Sequence, residues 1–513
     1  MRLRQAVRQR GAKLIVADPR RIDLTDFAVL HLRHKPGTDI ALVNGLMKVI
    51  LDEGWEDKEF IKHRTEGFEE VKAVLKDYTP EKVSKITGVS IEDLNEAARI
   101  LAENKPASVL WAMGITQHTT GVGNVMSLAN LQMLLGNMGL PGGGTNPLRG
   151  QNNVQGACDL GGLPNVYSGY QKVTDPAVRE KFAEAWGVKP EDLSSEVGKT
   201  VTELMPMAFE GDLQVLYVLG EDPIMSDPDT SHIRKALENC DLVVLQEIFP
   251  SETAPYADVL LPGASFAEKD GTFTNTERRI QMVHKAVESP GMAKPDWWII
   301  SELAKQILEN GDRKVRKAEF SGWDYQDANQ IMEEIAALTP IYAGVSHQRL
   351  VNGETLQWPV KDKQHPGTPI LHVGQFSRGK GQFNPIEHVP PAELPDKEYP
   401  MILSTGRVLF HWHGGQMTRR SKGLLEIYPE ALIEVNDLDA EKLGLNGEKR
   451  VRVSSRRGTI EALAMVTDRV PPGMVYANFH FPEASANELT IAALDPVAKI
   501  PEYKVCAVKV EVA

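Results

Sequence analysis

The chain is 513 residues long, 42% hydrophobic and 25% charged, with Gly 42 and Pro 32. That is the composition of a folded globular protein of several domains rather than a disordered one. A net charge of -13 argues against a nucleic-acid partner, which needs concentrated positive charge; three widely spaced cysteines, Cys158, Cys240 and Cys506, show neither a disulfide framework nor a self-contained zinc or iron-sulfur site.

No apolar run reaches the roughly eighteen residues that a membrane-spanning helix needs, and the sparse cysteines fit a reducing, cytoplasmic compartment. The basic N-terminal stretch has neither an apolar core nor a cleavage site, so it reads as the tail of an amphipathic helix rather than a signal peptide. KLIVA, residues 13–17, is a buried-strand run that leads into Asp18-Pro19-Arg20, and open α/β sheets place ligand loops at such strand ends. Apolar residues at helical spacing predict a helix over 38–51 with Thr38 as N-cap. Asp39 then falls in its first turn, where it serves the helix dipole or accepts from a ribose or guanine. A capping-box variant, Ser90-x-x-Asp93, opens a surface helix over 90–103.

SVLWAM, residues 108–113, is another buried strand, followed by the polar turn Gly114 to Gly121 and a helix over about 124–135. The stretch Asn146 to Asn165, NPLRGQNNVQGACDLGGLPN, has no helical or strand period and reads as an irregular loop. A buried Arg149 among Gln151, Asn152, Asn153 and Gln155 would suit an anion or a polar heterocycle; a solvated surface loop reads equally well. Cys158 in the same loop reads as a small packed thiol rather than a nucleophile.

Strand patterns return at 213–219, 241–245 and 257–261, with a helix over 231–238 between the first two. Glu221-Asp222 and Gln246-Glu247 follow two successive strands, where carboxylates commonly accept from ribose or guanine, although solvated loop acids would look the same. No G-x-G-x-x-G is present. Residues 311–397, rich in proline and charge, read as a linker or peripheral segment. From Met401 onward, closely spaced β patterns such as KRVRVSS and YKVCAVKVEV indicate a small barrel. His411-Trp412-His413 alternates two imidazoles along an extended segment, a spacing open to a metal but better suited, beside Arg407, Arg419 and Arg420, to binding an anion.

LRGQNNVQGACDLGGLPNVYSGYQ, together with VADPR, PGTDIALVNG, LGEDPI, ADVLLPGASFAEKDGTFTNTERRIQ, LSTGRVLFHWHGGQMTRR and PEYKVCAVKV, closely resembles the catalytic α subunit of molybdenum- or tungsten-dependent formate dehydrogenases, members of the molybdopterin oxidoreductase family. The resemblance spans essentially the whole chain, and its arginine loop is the most specific part. It implies an α/β fold: two Rossmann-like dinucleotide-binding domains plus a C-terminal double-psi-type β-barrel domain. The expected boundaries are 1–145 and 146–310 for the α/β domains and 398–513 for the barrel.

The implied cofactor is a bis-molybdopterin guanine dinucleotide with Mo or W, held between the α/β domains and closed by the barrel. By position, Arg149 resembles the arginine that orients formate, and Gln151 a pterin contact. Asp18, Pro19, Asp39, Gly114 and Gln117 fall where one dinucleotide is gripped. Glu221, Asp222, Ser226, Gln246, Asp258, Arg407, His411, Asn487, Tyr503 and Lys504 fall where the family holds guanosine, phosphates or pterin. The implied partners are formate and CO2, and an iron-sulfur electron-transfer subunit, hydrogenase or NAD(P)-reducing subunit.

Two departures accompany the match. Family members begin with an iron-sulfur domain of four cysteines, followed by a selenocysteine or cysteine ligand to the metal with a histidine after it, and none of the three cysteines here matches that ligand. The chain therefore resembles the C-terminal part of such an enzyme, expected to be inactive alone; an in-frame UGA codon read as stop, a split gene or a deliberate truncation would each leave the 4Fe-4S cluster and the selenocysteine or cysteine metal ligand outside it. The alternatives are a nitrate reductase-like oxidoreductase and a cofactor-free structural subunit akin to the complex I large subunit. The intact arginine-amide loop argues against the latter.

Overall fold

The computed structural model describes residues 2–310, 322–447 and 449–513. They form two units, one made of Met1–Pro147, Pro223–Arg234 and Ile370–Ala513, the other of Leu148–Asp222 and Lys235–Pro369. The whole is mixed α/β with a closed barrel.

The core of the first unit is organised on the helix Asp39–Asp52, which is buried on nearly every side, as expected for a helix whose residues are apolar all round. Its Gly45 lets a neighbouring helix approach closely: a Cβ there would come within 2.7 Å of the Val83 side chain on the helix Pro80–Thr87. Thr38 precedes this helix as expected, but its hydroxyl donates back to Lys35 O at 2.6 Å instead of capping it. Ser90 does cap the helix Ile91–Glu103, accepting from Asp93 N at 3.0 Å. That helix buries Leu94, Ala97, Ala98 and Ile100 against the same core. Two short parallel pairs bring strand ends to this unit: Ile15–Ala17 with Leu30–Leu32, and Val109–Trp111 with Thr145–Pro147.

The barrel belongs to the same unit, in the order Met401–Gly406, Met474–Asn478, Leu432–Val435, Thr459–Val466, Arg450–Ser454 and Cys506–Val512. Alternation dictates its build. Val451 and Val453 point into the core, while Arg450 and Arg452 are exposed and Arg452 pairs outside with Glu461.

In the second unit, Val215–Leu219, Leu242–Glu247 and Val259–Pro262 form a parallel sheet with Leu242–Glu247 central. A second, antiparallel sheet joins Gly271–Thr274, Arg279–Val283 and Leu356–Gln357. Residues 311–321 of the expected linker lie outside the described residues. Beyond them the stretch is not a connector in this unit: Met332, Tyr342, Val345, Leu350, Leu356 and Val360 close a core on Ile280. Its helices are Ala328–Leu338 and His347–Val351.

Candidate active site

Arg149 follows the strand Thr145–Pro147, and the expected irregular loop over 146–165 is irregular on either side of one short helix, Val154–Asp159; the pair Val166–Tyr167 and Gln171–Lys172 comes after it. Amides anchor it, Asn153 Oδ1 accepting from Thr274 N at 2.8 Å. Arg149 itself is exposed rather than buried. Its backbone N donates to Thr276 Oγ1 at 3.0 Å and its Nε to Gln155 Oε1 at 3.1 Å, while its two terminal nitrogens take no hydrogen-bond partner among the described residues. Gln151 is exposed two residues further on. Cys158 is half-buried; burial pushes its thiol up, with Arg149 pulling the other way, so it is not a thiolate nucleophile at neutral pH.

The strand-end acids and amides of this unit serve the scaffold first. Asp222 accepts from Thr253 Oγ1 at 2.6 Å and Thr253 N at 3.1 Å. Asp258 accepts from Val243 N at 2.7 Å. Gln246 donates to Asp296 at 2.7 Å and accepts from the Tyr217 hydroxyl, two partners that carried no motif in the sequence. Glu221 is exposed at the end of Val215–Leu219.

In the first unit, Asp18 closes the strand Ile15–Ala17 and accepts from Arg20 N at 2.8 Å. Burial raises its carboxyl above the usual range, and the Arg20 hydrogen bond and His34 lower it in part. Pro19 O accepts from Arg33 Nε at 3.1 Å. Asp39 sits in a buried chain of imidazoles and carboxylates. His34 Nε2 lies 3.1 Å from Asp39, His118 Nδ1 lies 2.8 Å from Glu502, and His118 Nε2 donates to Gly114 O at 3.0 Å, 3.9 Å being the approach to Asp39. Burial opposes charge on both histidines, yet Asp39 beside His34 and Glu502 beside His118 hold both imidazoles above their ordinary pKa. Neither histidine nor Glu502 stands out in the sequence, since each lies alone there and the fold brings them together.

This network fixes the turn that carries Gly114 and Gln117. Space above Gly114 is open to at least a Cβ, and the buried Gln117 Oε1 has no hydrogen-bond partner among the described residues. Near the barrel mouth, Lys504 Nζ donates to Thr405 O at 2.7 Å; burial and the Arg407 charge push its ammonium down to about 8, against Asp18 and Glu502. Arg407 gives one terminal nitrogen to His413 Nδ1 at 2.8 Å and leaves Nε buried without a partner. No carboxylate pairs with Arg407 among the described residues. Two cations brought together this way call for an anion.

Ser226, Asn487 and Tyr503 also lie in this unit, where Asn487 and Tyr503 bond the backbone of the segment that carries Ser226. Tyr503 Oη donates to Ser226 O at 2.9 Å and Asn487 Nδ2 to Met225 O at 2.8 Å. His411 departs from expectation. His411-Trp412-His413 is a turn with His413 at φ +46 rather than an extended segment. Both ring nitrogens of His411 are engaged within the protein, 3.2 Å from Thr418 Oγ1 and 2.8 Å from Tyr428 O. No group of three His, Cys, Asp or Glu is arranged to hold a metal among the described residues.

In the first unit an Arg407 that no carboxylate pairs among the described residues, and in the second an Arg149 whose terminal nitrogens take no partner there, each suit an anionic ligand. Residues 1–306 match the Molybdopterin oxidoreductase family model and residues 401–507 the Molydopterin dinucleotide binding domain. The chain belongs to the molybdopterin oxidoreductase family. It is 49% identical over 507 residues to F420-dependent formate dehydrogenase 1 subunit alpha of Methanococcus maripaludis, covering 98% of this chain and 73% of that one. It is 42% identical over 511 residues to Formate dehydrogenase H of Escherichia coli, covering 98% and 69%. Its fold matches the acetylene hydratase from Pelobacter acetylenicus with a TM-score of 0.77 at 21% identity, over 99% of this chain and 75% of that one. The residues present fit a molybdopterin dinucleotide: Arg407 and Lys504 suit its phosphates, and the unpartnered Gln117 Oε1 suits a donor on its heterocycles.

Proposed function

We propose that the chain is the catalytic part of a formate dehydrogenase, converting formate to CO2, a proton and two electrons, or the reverse. The reading is carried by Arg149, whose Nε is taken by Gln155 while its terminal nitrogens remain for a ligand. A guanidinium edge of that kind accepts a carboxylate through two parallel charge-assisted hydrogen bonds. Held there, formate has its charge compensated and its C–H end left pointing away from the arginine. The bis-molybdopterin guanine dinucleotide centre, with Mo or W, supplies the two-electron acceptance when bound. Gln151, beside Arg149, joins it in lining the substrate end.

In this reading Asp18, Pro19, Asp39, Gly114, Gln117, Arg407 and Lys504 grip one part of the cofactor. Glu221, Asp222, Gln246 and Asp258 stand at the strand ends of a second Rossmann-like half, and Ser226, Asn487 and Tyr503 hold the segment beside the double-psi-type barrel. Electrons leave through an iron-sulfur partner subunit. The named relatives are formate dehydrogenase subunits, which supports this choice over nitrate reduction.

The test is formate-dependent dye reduction by the cofactor-loaded enzyme. Arg149→Ala is expected to lower kcat/KM for formate about 100-fold, the equivalent of roughly 3 kcal/mol for a hydrogen-bonded charge pair, with Arg149→Lys intermediate. A loaded enzyme that reduces nitrate and leaves formate untouched overturns the reading.

A further inference from the structure

Behind Arg149 the second unit holds a set of polar side chains that substrate binding alone does not require. Gln155 Oε1 accepts from Arg149 Nε at 3.1 Å, and Gln155 Nε2 donates to Asp159 Oδ1 at 2.8 Å. Asp159 is fully buried and receives two more donors, Tyr170 Oη at 2.7 Å on the same oxygen and Tyr342 Oη at 2.9 Å on the other. Tyr342 in turn shares a 2.6 Å hydrogen bond with Thr274 Oγ1, on the strand whose backbone anchors the loop through Asn153.

A buried carboxylate with three neutral donors and no ion-pair partner among the described residues is costly, which points to a use. The backbone is also strained to build it. Tyr170 sits at φ +61 directly after Gly169 at φ +73, a left-handed conformation that bulky residues rarely adopt, and observed strain of this kind collects where geometry is functional.

We propose that Gln155 and Asp159 are positioning residues for Arg149, Asp159 fixing the Gln155 amide so that its oxygen, never its nitrogen, faces the arginine. An amide can present either end; a carboxylate accepts only, so Asp159 claims Nε2 and leaves Oε1 for Arg149. Burial pushes both phenols well above the ordinary tyrosine range, with Asp159 adding to it, so they remain donors. With Nε engaged, Arg149 can meet a carboxylate only end-on, through its two terminal nitrogens. Gln155 thereby selects one of the two bidentate modes open to an arginine and aims it. The inference rests on the reading of Arg149 as the substrate anchor, but the positioning can be measured without that reading.

The test uses the cofactor-loaded enzyme with two readouts: formate kinetics, and the rate at which phenylglyoxal modifies Arg149, followed by peptide mass spectrometry. Asp159→Asn replaces an acceptor-only group by an amide that can present either end, so the Gln155 oxygen is no longer fixed towards Arg149 and a share of the molecules presents a donor to a donor. KM for formate is expected to rise about tenfold, the loss of one charge-assisted hydrogen bond, while kcat changes less than about twofold on the same grounds. Labelling of Arg149 accelerates, and labelling of other arginines does not. The double variant Asp159→Asn with Gln155→Glu restores an acceptor for Arg149 and returns its labelling to the wild-type rate.

A folded Asp159→Asn variant with unchanged KM and unchanged labelling overturns the proposal. If that variant does not accumulate, Gln155→Met, which keeps length and loses the amide, carries the same expectations, and unchanged KM and labelling there overturn the proposal equally. Arg149→Ala with wild-type formate kinetics, alongside faster labelling in Asp159→Asn, would sink the substrate reading and leave the positioning standing.

Discussion

At the scale of single residues, the side chains that hold Arg149 and Gln117 are as informative as those two. Arg149 is legible as a candidate because a cationic side chain among amides in a glycine-rich stretch is a chemical signal in itself. His118 and Glu502 are not, because each acts through a partner distant in sequence, and the near neighbours His34 with Asp39 and Asp159 with Gln155 match no motif that would single them out. The buried imidazole-carboxylate chain makes a definite pH prediction. A histidine with a raised folded pKa contributes stability that is fully present below about 6.5 and lost as pH rises through the folded value; Asp39, lowered by His34 against the opposing effect of burial, contributes above about 4 and loses it on acidification. The network therefore stabilises most between those limits. The difference in Tm between the wild type and His118→Gln should be widest there and shrink towards alkaline pH. A gap that stays constant from about pH 5 to 9, across the histidine range, would show that His118 contributes by packing alone.

At the scale of elements, periodicity reads well wherever one face meets a core. The barrel strands and the helices Asp39–Asp52 and Ile91–Glu103 fall where apolar spacing puts them. Position does not disclose hydrogen-bonding role: Thr38 and Ser90 occupy the same place before their helices, yet only Ser90 caps through its side chain. Ser90→Ala should cost about 1 kcal/mol in urea denaturation, the usual value of a lost N-cap; an unchanged midpoint would show that the cap carries no weight. His411-Trp412-His413 misleads because alternation suggests a strand only when the chain is extended, and here it turns. The segment after 321 misleads because proline and charge dominate its composition, while the apolar residues that close its core, Met332, Tyr342, Leu350 and Leu356 among them, are spread over several separate elements.

At the scale of the whole molecule, composition sets the class and a closed sheet of six strands agrees with it, but the division into units is not legible, since the first unit is assembled from three separated segments. Long-range ion pairs bind those segments. Arg20, just after the first strand, makes two hydrogen bonds to Glu434 of the barrel, both side chains largely buried, and its guanidinium lies 3.8 Å from the Tyr476 ring centroid. Glu434→Gln, which leaves Arg20 buried without its counter-charge, should destabilise this unit by about 3 kcal/mol, with recovery in the paired Arg20→Met, Glu434→Leu variant; a single variant as stable as the wild type would refute a buried ion pair as the tie. The discontinuity also sets a timetable. When residues up to 147 leave the ribosome, the strands that complete their unit begin only at 401. Translation of 148–369 alone takes roughly 10–45 s at 5–20 residues per second. For that interval the core around the helix Asp39–Asp52, otherwise built from residues before 147, lacks only Phe376 and Phe383, whereas any cofactor that needs both Gln117 and Lys504 has to be loaded after synthesis has passed the barrel.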